Sequence, residues 1–222
     1  TRQRRANYVV ERFFSEGTLA TPLYLFLAHY STQADLKSIV FYHMLKAEPI
    51  AVKVAEELIW PALPLGMVDR EKVREVILRY MPDTKPASQA KILQAIDHTY
   101  DLCGTAVVNA QKLRFQLHKG TLESFLYILT CEYPQPGMYS YEALYSSPIH
   151  RWMLWDREWI RKQLYNLQDF GVLTKISEID TVRQFTLAVD QSTALRLYFE
   201  HPERDRKAVR DQAEHQDIDQ EG

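Results

Sequence analysis

The sequence is short of cysteine, glycine and long apolar runs, and each shortage removes a class of structure. Only Cys103 and Cys131 occur, so neither a disulfide framework nor a four-cysteine zinc site can be assembled. Free thiols in a reducing cytosol are the plain reading. Seven glycines in 222 residues argue against a chain of many short strands joined by tight turns. Leu, Ala, Lys, Glu, Gln and Tyr are plentiful instead, and they favour helix. The best apolar run, TPLYLFLAHY, stops at His29, short of the roughly 18 to 20 residues that span a bilayer. The opening TRQRR leads into an amphipathic stretch without a cleavage-site pattern, so no secretory signal is expected in the residues given. These readings together imply a cytoplasmic, mainly α protein. At 46% hydrophobic content it can bury a substantial core.

The chain also lacks a strong charge of either sign. Its formal net charge is -2, but from Phe199 onward eight acids face four bases, which leaves the body at +2. A nucleic-acid contact would therefore have to come from a local patch.

Helical punctuation is legible along the first half. Thr21-Pro22 can open LYLFLAHY, and Ser31 or Thr32 can cap a helix that carries Leu36, Ile39, Val40 and His43. Pro49 opens IAVKVAEELIW, which Pro61 and Pro64 end. Asp69 can cap REKVREVILRY, with Val73, Val76, Ile77 and Tyr80 inward. Ser88 can begin a longer helix through Cys103, stopped by Gly104. In KLRFQLHKG the period becomes two, as in a half-buried strand or extended connector. Beyond it, TLESFLYILTCEY reads as a helix, PQPGM as a turn, and Ser140 as the cap of a short helix. RWMLW fits either helix or strand. Asp156 then caps a helix running to Phe170 with Gly171 as its stop, and VLTKI pairs with RQFTLAV. The expected architecture is an N-terminal helical bundle over 1–104, an extended connector over 105–120, and a winged-helix-like (helix-turn-helix) subdomain with a small β-ribbon over 121–199. A charged, disordered tail over 200–222 completes it. The order is that of a winged helix with its short strand displaced.

Candidate sites follow from that architecture. With Ile160, Leu164 and Leu167 inward, Arg157, Arg161, Lys162 and Asn166 point outward on the last helix. Arginine and lysine suit phosphate oxygens, and asparagine can pair with adenine. Lys175 and Arg183 in the ribbon could steady a wing on the backbone, and Arg2, Arg4 and Arg5 could enter a narrow minor groove. Each has a plainer reading: a solvated helix face with Glu158 pairing to Lys162, a solubilised strand, a charged terminus. Glu158 and Asp169 would repel phosphates. Trp152, Trp155 and Trp159 could stack bases, but at this spacing large aromatics are ordinarily core. No histidine pair has the spacing of a metal helix, and no phosphate-binding, dinucleotide or nucleophile-elbow motif occurs. The acidic pairs Glu56-Glu57 and Asp97/Asp101 are by themselves weak evidence for a nuclease. Neither catalysis nor a cofactor nor a metal is expected.

The stretch IVFYHMLKAEPIAVKVAEELIWP resembles the aromatic-aromatic-His helix, acidic-Pro break and following helix of the BrxA family of BREX bacterial phage-defence systems. VDREKVREVIL, SQAKILQAIDHTYDLCG and DREWIRKQLYNLQDFGVL continue the likeness, which runs roughly from Phe13 to Val189. The resemblance implies a non-enzymatic, largely helical protein that binds double-stranded DNA and works beside other BREX subunits. It supplies no contact residues, so those above rest on the residues themselves. The alternative is an adaptor that docks another subunit through the same module. It would expose apolar patches and lack salt-sensitive DNA affinity.

Overall fold

The computed structural model describes residues 14–15, 18–19, 21–30, 32–179 and 182–201. Arg2, Arg4, Arg5 and the tail from 202 lie outside them. The fold is mainly helical with small antiparallel sheets. A short pair of strands, β1 (Phe14–Ser15) and β2 (Thr18–Leu19), precedes α1 (Thr21–His29) and α2 (Gln33–Ala47). Thr32 makes the α2 capping box with Asp35, each side chain bonding the other residue's backbone N–H. Pro49 opens α3 (Pro49–Val54), which widens into a π turn over Ala55–Ile59 before Pro61. α4 (Arg70–Tyr80) and α5 (Pro86–Leu102) follow. α5 starts at Pro86, two residues before the expected Ser88, because proline's fixed φ suits a first helical turn. Tyr80 is exposed, unlike Val73, Val76 and Ile77, and its hydroxyl donates to Glu57.

The segment 105–120 is more than a connector. Its strands β4 (Val107–Val108) and β5 (Lys112–Arg114) join β3 (Met67–Asp69) in a sheet of order β3-β5-β4. The period-two reading is correct here: Leu113 and Phe115 are buried while Arg114 and Gln116 are exposed. In the second half, α6 (Leu122–Glu132) leads to β6 (Gly137–Ser140), then α7 (Tyr141–Ser146), α8 (Pro148–Arg151) and α9 (Arg157–Asp169). The ribbon is β7 (Leu173–Ile179) with β8 (Val182–Leu187), and α10 (Gln191–Phe199) closes the described chain. The expected turn at PQPGM runs directly into β6, which pairs with β8 in a sheet of order β6-β8-β7. The short strand is therefore not displaced; it sits between α6 and α7.

One hydrophobic cluster runs through both halves. α2 packs on α6, α10 packs on α6 and also on α1, and the Phe26 and Phe199 rings meet edge to face at 6.2 Å. A polar chain crosses the same seam: the Tyr42 hydroxyl donates to Glu132 at 2.5 Å, and Lys46 reaches that carboxylate at 2.6 Å. His43 Nε2 lies 2.8 Å from the Tyr127 hydroxyl. The three tryptophans are core. Trp155 is fully buried against Phe125 and Trp159, and Trp152 donates to Glu56 at 3.0 Å. Among the described residues no helix is long and apolar enough to cross a membrane.

Candidate nucleic-acid interface

The helix with the proposed contacts, α9, is held at both ends. Asp156 accepts from the Trp159 backbone N–H at 2.9 Å, as an N-cap should. Gly171 adopts a positive φ of 73° just past the far end. Before the cap, the chain is fixed by hydrogen bonds on both sides of Trp155: His118 N–H donates to the Leu154 carbonyl, and Asp156 N–H to the His118 carbonyl, each at 2.9 Å. Ile160, Leu164 and Leu167 are buried as the periodicity requires.

Helical geometry divides the remaining residues into two stripes. Arg157, Arg161 and Tyr165, four apart, face α7 and the ribbon. Arg161 grips Glu178 of β7 with two nitrogens, Nε at 2.8 Å and a terminal nitrogen at 2.7 Å, and also reaches Glu158 at 3.5 Å. The Tyr141 and Tyr165 hydroxyls donate to the same Glu178 carboxylate at 3.1 and 3.3 Å. The Arg161 bond, the largest cause, and these hydroxyls hold the Glu178 carboxyl below its usual range, and Glu178 in turn raises the Arg161 guanidinium. Arg161 is thus neutralised in place rather than presented to solvent as an unmatched charge.

Arg157 is positioned without being neutralised. His150 is buried, and its Nδ1 lies 2.7 Å from the Trp155 carbonyl, which makes that nitrogen the N–H donor. Nε2 is then the acceptor, and Arg157 Nε donates to it at 3.0 Å. Burial lowers the His150 pKa and keeps the ring neutral, so the bond orients Arg157 without cancelling its charge. The guanidinium also lies 4.9 Å over the Tyr145 ring, and the residue stays exposed.

The second stripe, Glu158, Lys162, Asn166 and Asp169, alternates in charge. Lys162 is exposed, while Asn166 is half-buried and donates to Gln163 at 3.0 Å. Arg183 stands opposite Glu178 in the ribbon register and is exposed. Lys175 is exposed too, but strand alternation puts it with Ser177 and Ile179 on the other face from Glu178. The structure therefore brings Arg157, Arg161 and Arg183 to one surface, sets Lys162 and Asn166 on the adjoining stripe, and leaves Lys175 behind.

The residues that organise this surface, Glu178, His150, Tyr141 and Tyr145, escaped the sequence reading. Their partners lie 5 to 37 positions away, and only the i,i+4 step from Tyr141 to Tyr145 hinted at a shared face. The acidic pairs separate: Glu56 accepts from Trp152 whereas Glu57 serves Tyr80, Arg79 and Lys53, and Asp97 pairs with Arg70. Among the described residues no group of three or more His, Cys, Asp or Glu side chains could hold a metal ion.

No protein-family profile matches the chain, and no curated protein matches it either. Its fold is similar to a solved structure described as the SspB crystal structure, with a TM-score of 0.56 at 15% identity. That match covers 86% of this chain and 71% of the other. At this identity the likeness shows the fold alone.

Proposed function

We propose that the chain is a non-enzymatic component of a bacterial BREX-type phage-defence system that binds double-stranded DNA through a winged-helix-like subdomain. The order α6, β6, α7/α8, α9, β7, β8 and the sheet β6-β8-β7 support the winged-helix reading, in which α9 is the helix offered to the groove. The BrxA resemblance supplies the biological setting, with other BREX subunits as partners, while the cytoplasmic location proposed rests on composition. One observation carries the DNA reading: Arg157 is fixed by a neutral histidine and an aromatic face, so its charge is aimed outward and no carboxylate among the described residues pairs with it. Arg157 and Lys162 contact phosphates, Arg183 adds a contact from the ribbon, and Arg161 acts through Glu178 as the strut that sets the ribbon against α9.

A fluorescent duplex titrated at two salt concentrations tests this reading. With about three phosphates neutralised, raising salt from roughly 50 to 200 mM weakens binding on the order of 40-fold. Absence of duplex binding at the lower salt overturns it. The mixed charge of the Glu158, Lys162, Asn166 and Asp169 stripe favours the second reading, a protein adaptor, for which duplex affinity is absent and salt has no such effect.

A further inference from the structure

The outer face of the β3-β5-β4 sheet carries a row that the DNA reading does not use. In register, Met67 lies beside Arg114, which lies beside Val107. The neighbouring row, Val68, Leu113 and Val108, faces the core, so strand alternation turns the first row to solvent. Met67 is 42% exposed and Val107 68%, and Leu65, at 74%, is the most exposed large apolar side chain among the described residues. Leu65, Val107 and Arg114 line an open groove of about 750 Å³. Its floor is the stretch from Arg114 to His118, and its walls are Leu63–Gly66 and Gly104–Val107. Gly66 makes the first wall possible: its φ is 64°, and a Cβ there would sit 3.3 Å from the Phe115 carbonyl oxygen.

The charge in this groove is one-sided. No carboxylate lines it, and Arg114 makes no ion pair among the described residues. His118 is held toward its neutral form, chiefly by burial. Asp69, two rows along the sheet, is 4.0 Å from Lys112 instead. The wall at Thr105 and Ala106 has its backbone N–H groups bonded to the Tyr100 carbonyl, so the groove is entered by side chains. Leu102, two positions before the Gly104 wall in the chain, is 62% exposed and adds to the apolar surface on this side.

We propose that this groove is a docking site for an extended peptide segment of a partner protein in which apolar side chains alternate with acidic ones. The apolar side chains fill the space between Leu65 and Val107, and a carboxylate pairs with Arg114. None of the lining residues belongs to α9 or the ribbon, so the site stands whether or not the DNA reading does.

The test uses the full chain and two pools of fluorescently labelled hexapeptides. One alternates Leu, Ile or Val with Glu or Asp; the other replaces the acids with Lys or Arg. Expected is saturable binding of the acidic pool with a dissociation constant below about 100 μM. Arg114→Glu, at an exposed position, weakens that binding at least about tenfold and shifts preference to the basic pool, while Val107→Asp weakens both. The proposal is overturned if the acidic pool fails to saturate below about 1 mM, if wild type prefers the basic pool, or if Arg114→Glu leaves acidic binding unchanged. It is also overturned if Arg114→Glu lowers the salt slope of duplex binding, since the groove would then belong to a DNA surface.

Discussion

Glu178 decides what Arg161 can do. Helical periodicity shows that Arg161 points away from the α9 core, yet it says nothing about whether the ribbon folds across that stripe. The partner lies 17 positions away on β7, and only the tertiary fold brings it within 2.7 Å. Arg157 was legible as an exposed cation for the same periodic reason. Its fixation by His150 was not, because that depends on a histidine tautomer set by the Trp155 carbonyl. Glu178→Gln removes the charge that neutralises Arg161 and keeps the side-chain shape. Duplex affinity is expected to rise several-fold, with the salt slope steeper by about 0.9; an unchanged affinity would separate Arg161 from any DNA surface. His43 supplies a pH prediction. Burial, with a smaller contribution from Lys46, lowers its pKa from 6.5 to about 4. Between those values the unfolded chain binds the extra proton, so stability is present above pH 6.5 and is lost as pH falls toward 4. The loss from this residue is on the order of 3 kcal/mol. His118 and His150 are shifted the same way and add to it. His43→Gln should flatten the dependence of urea-unfolding free energy on pH across that window, and a slope identical to wild type would contradict it.

Elements with strong end signals were readable. Thr32, Ser140 and Asp156 each cap the helix expected of them through a side-chain oxygen, and Gly104 and Gly171 both adopt the left-handed conformation after a helix. Asp156→Ala is therefore expected to lower stability by about 1 kcal/mol, measured by urea unfolding. The strand β6 was hidden because it is only four residues long and begins at the glycine of a proline-glycine pair, and its partner β8 is more than forty positions on. α10 did carry a signal that went unread: Asp190 caps it through the Thr193 N–H, and Ala194, Leu195, Tyr198 and Phe199 recur at helical spacing. Its proximity to the acidic tail masked that pattern. Gly120 tests how tightly the loop before α6 meets the core. A Cβ there would lie 2.6–2.8 Å from the Trp155 indole, whose ring is packed against Phe125 and Trp159 and cannot retreat. Gly120→Ala should cost about 1–3 kcal/mol in thermal or urea unfolding; a neutral effect would show that the indole has room to move.

At the scale of the molecule, composition indicated a mainly helical chain with enough apolar residues for one large core or two small ones, and could not choose between them. The choice is made by α10, which reaches back to α1 while packing on α6, so that sequence-distant helices share a cluster. Phe199→Ala is expected to reduce stability by about 3–5 kcal/mol and to leave a single unfolding transition, because its ring contacts Phe26 and His29 across the seam. Two resolved transitions would show that the halves unfold separately. Function is less legible at this scale, since a net charge of -2 averages a +2 body with an acidic tail, and the useful charge is confined to a few side chains. The most direct measurement is the slope of log duplex affinity against log salt for wild type and for Arg157→Ala/Lys162→Ala. With two fewer phosphates neutralised, the double variant is expected to show a slope shallower by about 1.8. A slope equal to that of wild type contradicts DNA contact through α9.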